Sequence, residues 1–319
     1  MRQPLMVTAV LARVMRAHSR LSPPTATRRA SAALGESLAE KPLFEAPRIL
    51  PGLVAKENVL VLLGSNPGSE SLRADLSLWD LRAMMALKGG INAIRPQTLV
   101  DIVDVEFKPG VRPNPDTRKA RPELFDERVS VCSIGSPRAC WASESIMSEM
   151  FGVPAFGEPD KTLPFHFVWS SKIENLPPST FAVPVASVKG LEGADARALS
   201  LKGARGLKVG RRVYVAKTAR GRWKSYGVIV SQRRATGQVF LVLAGLSAPA
   251  TLGTALALVK KSTGTLPEPA ENGGHGPVRW AVIEATGEDE GGPWDARKVE
   301  EFEVVHTELH HGADGRLHR

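Results

Sequence analysis

The chain reads as an α/β protein with a mostly parallel β-sheet, and three observations predict this. An apolar run from Val59, the run Val129 to Ile134 and the run Val239 to Leu243 are each short enough for a buried strand. Each run then meets a glycine turn and a helical pattern. The first two turns also echo one another: Gly64-Ser65 and Gly135-Ser136 follow the strands, and Ser69-Glu70-Ser71 and Ser143-Glu144-Ser145 stand at the helix entrances. Finally, 319 residues at 43% apolar content can fill a large core. Strand, turn and helix in repetition predict parallel strands whose C-terminal ends share one crevice.

Residues 1–49 read as an N-terminal arm, partly helical or disordered. Met6, Val10 and Val14 share a face over residues 5–18, and a polar, proline-marked tether follows. Arg13 and Arg16 interrupt the apolar start, no clean cleavage site follows, and no run approaches the roughly 20 apolar residues of a membrane span. The expectation is a cytoplasmic protein without membrane contact. Cys132 and Cys140 match no disulfide framework or zinc motif, which agrees with a reducing compartment.

Residues 50–310 read as one domain. After the first strand and turn, a helix carries Leu72, Leu76, Trp79, Met84 and Leu87, and Thr98 to Val105 is the next strand. Lys108 to Arg128 is a proline-rich loop. In the central unit Ser143 stands as the helix N-cap before Glu144 to Phe151. Short strands are expected at Phe165 to Trp169 and Phe181 to Val185. The third unit turns through Gly245 and Ser247 into a helix beginning near Thr251, two strands follow at Val278 to Ala285 and Val299 to Leu309, and residues 311–319 form a disordered tail. Together these elements give a Rossmann-like, mostly parallel sheet with an added β-hairpin and a loosely held arm.

That hairpin carries the charge. From Lys202 to Lys224 there are nine Lys or Arg and no acid, and Arg211 to Lys217 is expected to pair with Tyr226 to Gln232 around Thr218 to Gly221. Arg211, Arg212, Lys217, Arg220, Arg222 and Lys224, interleaved with Trp223, are candidate nucleic-acid contacts through phosphate binding and base stacking. The formal net charge of +9 also favours phosphate-bearing partners. His306, Glu308 and His310 stand at alternate positions, but no further ligand accompanies them and no metal is assigned.

The turns match neither GxGxxG nor the P-loop pattern, so no standard dinucleotide or Mg-ATP site is expected and no cofactor is assigned. Backbone N–H groups and hydroxyls at strand-to-helix turns nonetheless suit an anionic ligand, which makes Gly64, Ser65, Ser69, Gly135, Ser136, Ser143, Gly245 and Ser247 the candidate ligand-binding residues. Glu144, with Gly152 and Pro154 after it and the Gly-Ser turn before it, resembles over about thirty residues the glutamate helix of nucleoside 2-deoxyribosyltransferases and TIR-type N-glycosidases. The resemblance implies a catalytic Glu144 acting at a ribosyl anomeric carbon. The expectation is therefore a protein that binds a nucleotide, nucleoside or other phosphate-bearing small molecule and cleaves an N-glycosidic bond of NAD or a nucleoside. The alternative is a non-enzymatic nucleic-acid or protein-binding module using residues 202–234.

Overall fold

Alternation explains why the central strands are apolar throughout. In β1 (Asn58–Pro67) Val59, Val61 and Leu63 enter one core while Leu60 and Leu62 enter another. In β11 (Val239–Gly245) Val239, Leu241 and Leu243 divide from Phe240, Val242 and Ala244 in the same way. A strand covered on both faces has no polar side to keep.

The computed structural model describes residues 49–67, 74–106, 116, 119, 122–169, 178–188, 197, 199, 204–261, 266–269, 273–289 and 298–311. The N-terminal arm through residue 48, Ser69, Glu70 and residues 312–319 lie outside them. The remaining elements are α1 (Ile49–Leu53), β2 (Ala74–Leu76), α2 (Leu78–Ile94), β3 (Leu99–Glu106), β4 (Val129–Ile134), α3 (Trp141–Phe151), β5 (Phe165–Trp169), β6 (Ala182–Pro184), β7 (Arg205–Val209), β8 (Arg212–Val215), β9 (Lys217–Ala219), β10 (Arg222–Arg233), α4 (Ala248–Lys260), β12 (Val278–Glu288) and β13 (Glu301–His310). Ile49, which the sequence assigns to the arm, is instead buried with the core helices.

One mixed sheet runs β13-β12-β10-β11-β4-β1-β2, with β3 on β1 and β9 on β10. The pairs β1/β3, β1/β4 and β4/β11 are parallel. β1, β4 and β11 thus lie side by side with their C-terminal ends together, as their shared pattern predicts. But β1 runs on through Gly64 and Ser65 to Pro67 and pairs with β2, so strand replaces the turn expected at Gly64-Ser65 and the helix expected at Leu76, and α2 begins only at Leu78. The sheet is only partly parallel, however, because β10 adds antiparallel to β11, β12 antiparallel to β10 and β13 antiparallel to β12. The connection from β10 to β11, residues 234–238, is a tight hairpin, which joins antiparallel neighbours, whereas a parallel neighbour needs a crossover.

Helices α1, α2 and α4 cover one face through Leu53, Met84, Leu87, Ile91 and Leu258. Helix α2 approaches α4 closely, for a Cβ added to Gly90 would sit 2.8 Å from Val259 Cγ2. The other face is covered by α3, through Ile146, Met147 and Phe151, and by a second sheet of order β6-β5-β7-β8. Phe165 of that sheet packs on Trp280 of β12 with centroids 5.2 Å apart.

The second sheet corrects the expected hairpin. β8 pairs with β7 around the turn at Gly210-Arg211, whereas β9 pairs with β10 around Arg220-Gly221. The basic segment is therefore shared between two sheets. Both turns place residues at positive φ: Gly210 at 55°, Arg220 at 52° and Gly221 at 70°.

Candidate functional site

The turn after β4 meets β1 at Gly64, a residue inside the strand. A Cβ on Gly64 would lie 2.0 Å from the carbonyl oxygen of Ala139, so only glycine lets the turn after β4 close over the end of β1. Gly135 (φ 123°) donates its N–H to Leu243 O at 2.9 Å and thereby binds the β4 turn to β11. At β11, a Cβ on Gly245 would meet Thr251 N at 2.3 Å.

Hydroxyls in these turns have structural partners. Ser143 is not the N-cap of α3: Cys140 holds that position, and Ser143, inside the first turn, donates to Gly135 O at 2.7 Å and shares a 2.8 Å bond with Ser133 Oγ. Ser143 thus stitches helix to strand from a fully buried position. Ser136 is also buried, and its carbonyl accepts the N–H groups of Ala139 and Cys140. Ser247 is the N-cap of α4, which begins at Ala248 and not near Thr251. Its Oγ accepts from Ala250 N and donates to Ser225 Oγ at 2.9 Å. Ser65 lies in β1 opposite Leu76, and Ser69 is outside the described residues.

Glu144, in the first turn of α3, is fully buried and not solvated. Its Oε1 accepts the N–H groups of Thr180 at 2.8 Å and Phe156 at 3.1 Å, and its Oε2 accepts from Ser179 Oγ at 2.7 Å. Burial raises the carboxyl's proton affinity, and these donors partly offset it. Phe156 holds a positive φ of 55°, uncommon for a bulky residue, while its ring packs edge-on against Trp141. The carboxylate is a hub that pins the segments around 156 and 180 onto α3.

The basic segment presents less than its composition suggests. Trp223 is buried, and its indole would touch a Cβ added to Gly287, so it offers no face for stacking. Arg222 pairs with Glu300 at 3.3 Å, and Lys224 with Glu284 at 2.7 Å. Glu284 also accepts from the Tyr226 phenol at 2.8 Å, and Arg212 lies over Tyr214. Lys217 stands in β9 and is exposed, as are Arg211 and Arg220 in their turns. Among the described residues no His, Cys, Asp and Glu group fits a metal ion.

A different basic cluster sits at the strand ends. Arg138, from the turn after β4, and Arg205, at the start of β7, lie over the ring of Trp169 at 5.1 and 4.9 Å from its centroid. Arg205 also donates to Leu246 O at 2.8 Å, immediately after β11. Trp169 is buried, and among the described residues its Nε1–H has no acceptor. These residues carry no motif; the one local signal was a charged residue inside a glycine-proline turn. On the opposite face Asp80, in the first turn of α2, is buried, and burial pushes its carboxyl up to about 7.

No family model, curated protein or solved structure matches the chain. The fold and site define a mixed α/β protein with a mostly sheet core. Among the described residues no helix is long and apolar enough to cross a membrane.

Proposed function

We propose that the chain is a nucleotide- or nucleoside-binding protein whose ligand sits at the C-terminal ends of β1, β4 and β11, with a Rossmann-like arrangement of the parallel strands. One observation carries this reading: after β1 the chain turns back through the short antiparallel strand β2 and then runs along α2 on one face, whereas after the adjacent β4 it leaves along α3 on the other. Open α/β sheets bind ligands at such switch points, where the strand ends diverge. The glycine turns and the uncompensated arginines favour a phosphate-bearing molecule there.

Binding has more support than cleavage. For Glu144 to attack a ribosyl centre, its carboxylate would have to exchange the Thr180, Phe156 and Ser179 bonds for the ligand. The glycosidase role rests on the resemblance of the surrounding thirty residues. The nucleic-acid alternative has less support still, since Trp223 is buried and Arg222 and Lys224 are paired.

A thermal-shift panel of nucleosides, nucleoside mono-, di- and triphosphates and NAD tests the reading. At a hundredfold excess over Kd, a ligand that binds only the folded chain adds about 2.7 kcal/mol, a shift of several degrees. A flat response across nucleosides and nucleotides alike would refute it.

A further inference from the structure

Some cations of this protein are matched by carboxylates: Arg128 pairs with Asp126, Arg222 with Glu300, Lys224 with Glu284, Arg233 with Glu268 and Arg234 with Glu149. Arg138 and Arg205 are set apart by geometry: both guanidiniums lie over one buried indole, the one ring among the described contacts that carries two cations, and among the described residues neither has a carboxylate partner. Arg138 is half-buried and Arg205 exposed; the partial loss of water lowers the proton affinity of each, and the charge of Arg205 lowers that of Arg138 further. Two like charges held together and partly desolvated oppose folding unless a counter-charge joins them.

Position sharpens the point. Arg138 follows β4, Arg205 is tied to the residue after β11, and β4 and β11 are parallel neighbours. On the edge of the ring that the two cations share is the Nε1–H of Trp169, buried and, among the described residues, without an acceptor. Trp79, Trp223 and Trp280 also have unmatched Nε1–H groups, but Trp79 has one arginine over its ring and the other two have none among the described contacts. Guanidiniums are suited to oxyanions because they present several N–H donors in a planar fork.

We infer that Arg138, Arg205 and Trp169 form an oxyanion site at the C-terminal ends of β4 and β11, which takes the phosphate group of a phosphate ester or free inorganic phosphate. The site rests on the reading that these strand ends hold the ligand, and it names the group on the ligand that is recognised. The guanidiniums supply charge and donors, and the indole holds them at a fixed separation.

The test uses the full chain at constant ionic strength, with inorganic phosphate, pyrophosphate, a nucleoside monophosphate and its parent nucleoside as probes. The wild type is expected to rise in melting temperature with phosphate and with the monophosphate. Arg138→Gln and Arg205→Gln should each weaken the response at least tenfold in probe concentration, while Lys88→Gln, at an exposed position of α2, should leave it unchanged. Arg138→Gln is the decisive variant, because Arg205 also supports Leu246. Without anion, its melting temperature should equal or exceed the wild type's, since a repulsion is removed; a purely structural stacking role predicts a fall. A wild type blind to phosphate, pyrophosphate and the monophosphate, or a response kept in Arg138→Gln, overturns the site. Monophosphate binding that is independent of both arginines sinks the site and leaves the nucleotide reading standing. Phosphate binding lost in the variants, with no gain from the nucleoside moiety, sinks the nucleotide reading and leaves the site standing.

Discussion

The backbone N–H of Thr180 donates to Glu144 Oε1 at 2.8 Å across 36 residues of chain. With the bonds from Phe156 and Ser179, it makes a buried side chain of α3 the fastening point for two loops that precede strands of the second sheet.

Glu144→Gln should keep most of this fastening, because an amide oxygen accepts both N–H groups and the amide nitrogen can donate to Ser179. We expect a loss of about 1 kcal/mol for Gln and roughly 3 kcal/mol or more for Ala, which leaves the buried N–H groups of Thr180 and Phe156 unmatched. Chemical denaturation checks both values. Equal losses for Gln and Ala would contradict the hub. Nucleoside turnover followed in the same proteins tests the glycosidase role, which requires Gln to abolish turnover that the wild type shows.

Asp80 should make stability fall as pH rises. Its carboxyl is held near 7 in the folded chain against an ordinary 3.8, so the folded state binds the proton more tightly than the unfolded state does. The contribution is fully present below about 3.8 and is lost as pH climbs through about 7; above that the neutral Asp80→Asn should be the more stable by roughly 4 kcal/mol. Melting curves of the two proteins from pH 4 to pH 8 read this directly. They should coincide at the acid end and separate toward neutrality, and parallel curves would refute the assignment.

Gly64 and Gly89 should respond oppositely to alanine. At Gly64 a Cβ meets Ala139 O at 2.0 Å and Ala139 C at 2.8 Å, a clash with backbone that we expect to cost about 3 kcal/mol or more. At Gly89, exposed in α2, nothing lies within 4 Å, and Ala should stabilise by about 0.5–1 kcal/mol. Because Gly64 also shapes the strand-end site, Gly64→Ala should weaken any nucleotide-induced shift, whereas Gly89→Ala should leave it intact. Denaturation midpoints with and without nucleotide check both.

What the sequence determined by itself is the local pattern: three apolar runs that meet glycines and lead on to helices, and hence parallel strands β1, β4 and β11 with their ends together, although the first run continues past Gly64 and returns as β2 before its helix. That pattern is legible because strand period, turn chemistry and helix period are all set within a few residues. Tertiary structure decided the rest. β8 has an alternating pattern that suits either sheet, and it joins β7 because Gly210 closes a tight turn between them. Ser143 and Glu144 look like helix-start residues, yet one bonds back to the β4 turn and the other accepts from loops far along the chain. The meeting of Arg138 and Arg205 over Trp169 leaves no trace in spacing, because three separate segments bring those side chains together. Charge composition shows how many cations exist, but only packing decides which of them meet a carboxylate and which share an aromatic ring.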